Sequence, residues 1–142
     1  MWLDEAQTAM RDVARRFAQQ ELRPNSAAFE AAGGFPAEVF QKIGGLGFMG
    51  MLAPDRFGGA EADDVAYALA LMELAAGDGA LSTIVSIQNS IMVGGILRHG
   101  TDLQKELHLP GLVSGSVIGA FALTEADAGS DASAVRTSGG GV

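Results

Sequence analysis

Apolar residues recur at helical spacing from the start of the chain. Trp2, Ala6, Met10, Val13 and Phe17 follow one another at intervals of four, four, three and four, which predicts one apolar face of a first helix. Glu5, Asp12, Arg15, Arg16 and Gln19 make its polar face. Pro24 lacks an N–H and its ring would meet the carbonyl of Gln20, so the helix is expected to kink or restart near Arg23.

The run GGFPAEVFQKIGGLG predicts a short second helix with a buried stripe of Val39, Phe40 and Ile43. Gly33 and Gly34 break the chain before it, Pro36 sits in its first turn, and Gly44 or Gly45 stops it. Beyond the turn-rich MLAPDRFGG, Asp63 is placed to cap a third helix in which Val65, Leu69 and Met72 repeat until Gly77.

Between Gly79 and Leu97 there is no charged residue, which raises the question of a membrane span. Gln88, Asn89 and Ser90 sit midway, and each would cost a few kcal/mol if left unpaired in hydrocarbon. With no cluster of Lys or Arg and no aromatic belt at both ends, the run predicts the buried central helix of a bundle, not a span. Arg98, His99 and Gly100 suit its C-terminus. TDLQ, from Thr101 to Gln104, fits a capping box opening another helix that Pro110 and Gly111 end.

SVIGAFALT is the first run that reads as a strand, short and holding Val117, Ile118 and Phe121. A polar loop, TEADAGSD, follows, and TSGGGV at the end resembles flexible linker. A single strand leaves its backbone donors and acceptors in need of partners.

Charge narrows the choice of ligand. Nine Lys and Arg against 17 Asp and Glu give a formal net charge of -8 with no basic run, which argues against nucleic acid as a partner. An anionic ligand would therefore be held mainly by backbone N–H groups, hydroxyls and helix N-termini. The absence of cysteine removes disulfides, thiolate nucleophiles and sulfur-ligated metals. The N-terminus has early acidic residues and no apolar core before a small-residue cleavage site, so it does not read as a signal peptide.

Several motifs compete as candidate sites. Gly45-Leu46-Gly47-Phe48-Met49-Gly50 satisfies the G-x-G-x-x-G pattern, yet it lacks the preceding strand and following helix that a dinucleotide fold needs. His99 and His108 have no third ligand at metal spacing, so no metal site is expected. Ser114 stands one place too late for a nucleophile elbow. Gln88, Asn89 and Ser90 either satisfy one another in the core or line a cavity, and residue chemistry divides these evenly.

Glu125 and Asp127 read as solvated carboxylates by default, since nothing apolar nearby would raise their pKa. The loop TEADAGSD is the strongest candidate. Gly129 allows close backbone approach, while Thr124 and Ser130 bring hydroxyls and N–H donors without charge. A plain turn capping the strand is an equal reading of the same residues.

Taken in order, GGFPAEVF, LGFMGMLAPDRFGGA, VAYALALMELA, IQNS and HGTDLQKELHLPGLVSGSVIGAFALTEADAGSDASAVRT resemble the N-terminal part of the acyl-CoA dehydrogenase family. The likeness runs from the first helix to Thr137. It implies a mainly α fold: an N-terminal helical bundle domain over residues 1–113, then one or two strands of an incomplete middle β-domain over residues 114–142.

The resemblance implies FAD as cofactor, contacted by Phe121, Leu123 and Thr124 at the flavin and by Gly129 and Ser130 at the pyrophosphate. It places Ser130 also near the CoA part of an acyl-CoA substrate, and Gln88, Asn89, Ser90 and Met92 along the acyl pocket. Ala126 departs from the family, where proline is usual. The family reaction forms a trans-2-enoyl-CoA by loss of an α-proton to a glutamate and of a β-hydride to the flavin. That glutamate belongs to the C-terminal helical domain, so no catalytic residue is expected here and Glu125 does not match it.

These 142 residues alone are therefore expected to be inactive. An electron-transfer acceptor and a homo-oligomer are implied for the complete enzyme, in the cytoplasm or, for a eukaryote, the mitochondrial matrix. The alternative is a standalone helical domain that binds acyl-CoA or another subunit without catalysis.

Overall fold

The structure is a computed structural model and describes residues 2–139. Helix α1, Glu5–Phe17, opens with a capping box: Asp4 accepts the N–H of Gln7 at 2.8 Å, and the Gln7 side chain accepts the N–H of Asp4 at 3.2 Å. Two orphan donors of the first turn are thereby satisfied. A wider π-helical turn, Ala18–Leu22, continues α1 to the bend expected near Arg23, and α2, Ser26–Ala32, restarts the chain.

The expected apolar face of α1 holds at Met10, Val13 and Phe17 but does not extend to the start of the helix. Trp2 precedes the helix and is fully exposed, and Ala6 is exposed too. Ala14, Ala18 and Leu22 join Phe17 as its buried residues, with Met10 and Val13 packed against them. Alanine carries this face where α1 meets α4, because a small side chain lets two helices approach closely.

Helix α3, Ala37–Gly45, buries Ile43 and half-buries Val39 and Phe40, as its spacing predicts. Phe35 links α2 to α3 through tilted contact with Phe29 at 5.2 Å and edge contact with Phe40 at 6.1 Å. Helix α4, Asp64–Gly77, is capped by Asp63, whose carboxylate accepts the N–H of Ala66 at 2.7 Å. Its expected stripe of Val65, Leu69 and Met72 is corrected: Ala66, Ala70 and Leu74 are the buried residues and Met72 is 68% exposed. A helix this apolar all round leaves its burial to be decided by its neighbours, here α1 and α5.

The uncharged run forms α5, Gly79–Ile87, a π-helical segment, Gln88–Val93, and α6, Gly94–His99, in one continuous rod. Asp78 caps it, accepting the N–H of Leu81 at 2.9 Å. This rod is 21 residues long and apolar enough to cross a membrane by length and composition. The expectation of full burial needs correcting: Leu81, Val85, Gln88, Asn89 and Val93 face inward, whereas Ile87 and Ile91 are 37% and 40% exposed.

Thr101 and Gln104 form the capping box predicted for α7, Asp102–Val113. Pro110 and Gly111 lie within this helix and do not end it. Burial of Leu109, Leu112 and Val113 against Ala53, Phe57 and Val93 holds the last turn in place despite the missing N–H of Pro110. A larger core joins α1, α3, α4 and α5 around Leu22, Ile43, Phe48, Met49, Leu74 and Leu81. Each such side chain contributes about 1.5–3 kcal/mol through burial.

The helical architecture is the one expected, but the strand is not formed. Among the described residues there is no strand, and the run from Ile118 to Thr124 makes no backbone–backbone hydrogen bond. Val117, Ile118, Phe121 and Leu123 are 52%, 41%, 58% and 46% exposed. Their β-propensity finds no adjoining strand with which to make a ladder.

Candidate cofactor-binding site

Beyond α7 the chain turns at Gly115 and is drawn back onto the helical layer. The N–H of Val117 donates to Gly111 O at 3.0 Å, and the N–H of Gly119 donates to Gln88 Oε1 at 3.0 Å. From there the segment leaves the surface and reaches the TEADAGSD loop. Ala128 is the buried foot of this loop, and Glu125 N–H donates to Ala128 O at 2.8 Å to close its turn.

The residues named for cofactor binding stand on the open side of that turn. Phe121, Leu123, Thr124, Gly129 and Ser130 are all exposed. Among the described residues their backbone N–H groups, and the hydroxyls of Thr124 and Ser130, donate to no protein acceptor. At Gly129 a Cβ would meet only Thr124 Cγ2, at 3.8 Å, so the backbone there is open to close approach. The uncharged donors of Thr124, Gly129 and Ser130 are open to solvent and Phe121 and Leu123 expose apolar surface in the same segment, a donor set whose chemistry fits a ligand with an anionic part and a flat apolar part. The residues present therefore suit a dinucleotide such as FAD.

The acidic residues of the loop are committed elsewhere. The Glu125 carboxylate accepts the hydroxyl of Thr137 and the N–H groups of Arg136 and Thr137, the latter two at 3.0 and 2.7 Å. These bonds, the Thr137 hydroxyl foremost, hold its pKa below the usual carboxylate value. Asp131 accepts from Ser133, and its pKa falls for the same reason. A carboxylate stabilised as the anion is a poor proton acceptor, so Glu125 acts as an anchor for residues 136–137. No local pattern signals this role, because its partners lie 11 and 12 positions away.

The proposed acyl-pocket residues separate into two groups. Gln88 and Asn89 are 1% and 0% exposed, and backbone groups engage both amides. Asn89 donates to Phe48 O and Val85 O at 2.8 and 2.9 Å and accepts the N–H of Met51 at 2.7 Å. Gln88 donates to Leu112 O and Val117 O at 2.8 and 3.0 Å. Both side chains thus fasten loops to the helix, and each amide nitrogen and oxygen has a backbone partner. Ser90 is exposed and its hydroxyl donates to Ser86 O at 2.7 Å. Met92 alone of the four borders an open apolar groove, with Ile96, Leu107, Leu112 and Val117.

Other candidates resolve structurally. In Gly45-x-Gly47-x-x-Gly50, Gly47 has φ 84° just after α3, and at Gly50 a Cβ would overlap Val113 Cγ1 at 2.4 Å. Those glycines serve a helix end and a close packing contact. No group of three His, Cys, Asp or Glu able to hold a metal occurs among the described residues.

The model of the acyl-CoA dehydrogenase N-terminal domain matches residues 4–116. The chain belongs to the acyl-CoA dehydrogenase family. It is 39% identical over 137 residues to an acyl-CoA dehydrogenase of Bacillus subtilis (strain 168), covering 96% of this chain and 36% of that protein. To the mitochondrial short-chain specific acyl-CoA dehydrogenase of Homo sapiens it is 39% identical over 135 residues, covering 95% of this chain and 33% of the human protein.

Among solved structures it superposes on a glutaryl-CoA dehydrogenase from Mycobacterium smegmatis in complex with FADH2 with a TM-score of 0.88 at 37% identity, covering 95% of this chain and 35% of that one. The chain spans about a third of the length of the family members it matches.

Proposed function

We propose that this chain supplies the helical N-terminal part of an FAD-dependent acyl-CoA dehydrogenase, with residues 1–113 as the helical domain and 114–142 opening the β-domain. The observation that carries this reading is the open edge formed by Phe121, Leu123, Thr124, Gly129 and Ser130, whose donors have no protein acceptor among the described residues. When bound, FAD supplies the hydride acceptor for oxidation of the acyl Cα–Cβ bond. The chain's own work is to hold and orient. Thr124 and the N–H groups of Phe121 and Leu123 would hold the flavin ring, and Gly129 and Ser130 would donate to the pyrophosphate.

Uncharged donors suit this task in a protein of formal net charge -8, since they attract phosphate without a compensating cation. Ser130 also reaches the CoA moiety, and Ser90 and Met92 border the acyl chain. Under this reading the complete enzyme would work with a separate electron acceptor and as a homo-oligomer.

The proton acceptor lies outside these residues. The buried carboxylate of Asp78 caps α5 and accepts the Ser26 hydroxyl, while Asp63, Glu73, Glu125 and Asp131 all have lowered pKa values. The four lowered carboxylates are stabilised as anions and are poor acceptors for a proton. These 142 residues by themselves accordingly yield no dye-coupled oxidation of acyl-CoA thioesters.

FAD titration followed by flavin fluorescence tests the cofactor reading in the complete gene product. Ser130→Asp, which sets a carboxylate beside the pyrophosphate, is expected to weaken binding by about tenfold or more. Unchanged affinity would refute the assignment of Ser130. The groove beside Met92 favours a second reading, a helical acyl-CoA-binding domain without catalysis. Tight acyl-CoA binding with no FAD binding would select it.

A further inference from the structure

Gln88 ties the long apolar rod to the end of α7 and to the segment that follows it. Its side chain, buried to 1% exposure in the π-helical segment, is shared between the end of α7 and the segment leading to the cofactor loop. Nε2 donates to Leu112 O at 2.8 Å and Val117 O at 3.0 Å, and Oε1 accepts the N–H of Gly119 at 3.0 Å. Both amide hydrogens and the carbonyl oxygen are thus used, and all three partners are backbone atoms.

The segment is pressed onto the same helix at a second point. A Cβ at Gly119 would lie 2.5 Å from Met92 Cγ and 2.9 Å from Met92 Cβ, so only glycine permits this approach. After Gly119, no backbone hydrogen bond is made until Glu125 closes the loop turn with Ala128. The direction in which Phe121, Leu123 and Thr124 leave the helical layer is therefore set at residues 117–119.

We infer that Gln88 is a positioning residue for the cofactor site: its amide fixes the backbone of Val117 and Gly119 and so aims the donor edge from Phe121 to Ser130 at the dinucleotide. This rests on the flavin reading above. Gln88 touches no cofactor itself and acts only through the backbone it holds. The chemistry requires a side chain that donates twice and accepts once. A carboxylate in its place faces the carbonyls of Leu112 and Val117 without a hydrogen, and a methionine satisfies none of the three.

The test uses the complete gene product with FAD as the probe. Wild type must first bind FAD; failure there refutes the flavin reading, and this inference with it. Given wild-type binding, Gln88→Met is expected to raise the FAD Kd by about tenfold or more and to speed exchange of the Gly119 amide, whose acceptor it removes, by a similar factor, with helical circular dichroism retained. Gly119→Ala, which pushes the segment off Met92 and leaves the Gln88 side chain intact, is expected to do the same, and decides the matter if Gln88→Met does not fold.

Leu74→Ala, a buried core change remote from the segment, lowers Tm but is expected to leave the FAD Kd within about twofold of wild type at a temperature where it remains folded. Wild-type-like FAD affinity in the folded Gln88 and Gly119 variants would overturn the inference. So would an equal loss in Leu74→Ala, since the effect would then be global stability.

Discussion

Asn89 Oδ1 accepts the N–H of Met51 across 2.7 Å, joining the middle of the long apolar rod to a loop 38 residues earlier in the chain. The same side chain donates to Phe48 O and Val85 O, so three backbone groups inside the protein depend on one amide. Asn89→Leu leaves two of them, on Phe48 and Met51, buried without a partner. At about 1–3 kcal/mol for each orphaned group, the expected loss is about 3 kcal/mol, read as a fall in Tm of about 10 °C by thermal unfolding. Asn89→Asp should be worse, because an anion then faces the carbonyls of Phe48 and Val85.

The tie between α1 and α4 is electrostatic as well as apolar. Arg15 donates to Glu73 through Nε at 3.1 Å and Nη2 at 2.6 Å. Because the pair lies at the surface, Glu73→Gln should cost about 0.2–1 kcal/mol at neutral pH, measured by chemical denaturation. Raising the salt concentration to 1 M should shrink the difference.

Acid should loosen the fold through its paired carboxylates. Glu73 is held below its ordinary 4.5, chiefly by the Arg15 hydrogen bond, and Asp63 below 3.8, chiefly by the Ala66 N–H and then by Gln7. Folded values below the unfolded ones mean that the unfolded chain takes up protons first. The stabilisation is then present above pH 4.5 and is lost as pH falls through and below 3.8. Thermal scans from pH 7 to 3 should show a falling Tm at the acid end, with a shallower fall in the Asp63→Asn, Glu73→Gln double variant. An identical slope in both proteins would exclude these two groups as its source.

How much of this was legible beforehand depended on the range of each interaction. Caps are local, so Asp63, Thr101 and Gln104 could be placed from spacing alone, as could the bend near Arg23. The buried face of α4 could not: nearly every position is apolar, and only the positions of α1 and α5 select Ala66, Ala70 and Leu74 over Met72. The polar pair in the apolar rod was visible as an anomaly, but its partners outside the rod, 24 to 41 residues away, were not. The open loop was legible because Gly129 and Ser130 signal backbone exposure by residue type. Its anchoring through Glu125 was hidden by distance along the chain.

That anchoring gives a prediction confined to the C-terminal segment. Glu125→Ala removes the acceptor for the N–H groups of Arg136 and Thr137. Because Glu125 lies outside both apolar clusters, Tm should hold while limited proteolysis within 132–137 becomes markedly faster. Unchanged cleavage rates would show that another contact secures this segment.

Neighbouring glycines at the end of α3 provide the sharpest contrast. A Cβ at Gly44 would stand 2.0 Å from Ser114 O and 2.6 Å from Ser114 C, atoms of a backbone already fixed at the end of α7. A Cβ at Gly45 would meet nothing within 4 Å. Gly44→Ala should therefore force α3 and α7 apart, at a cost of about 1–3 kcal/mol or more. Gly45→Ala exchanges glycine for the best helix former at an exposed helical position and should gain about 0.5 kcal/mol. Denaturation curves for the two variants should shift in opposite directions. If both were neutral, the close approach of α3 to the turn after α7 would not exist in solution.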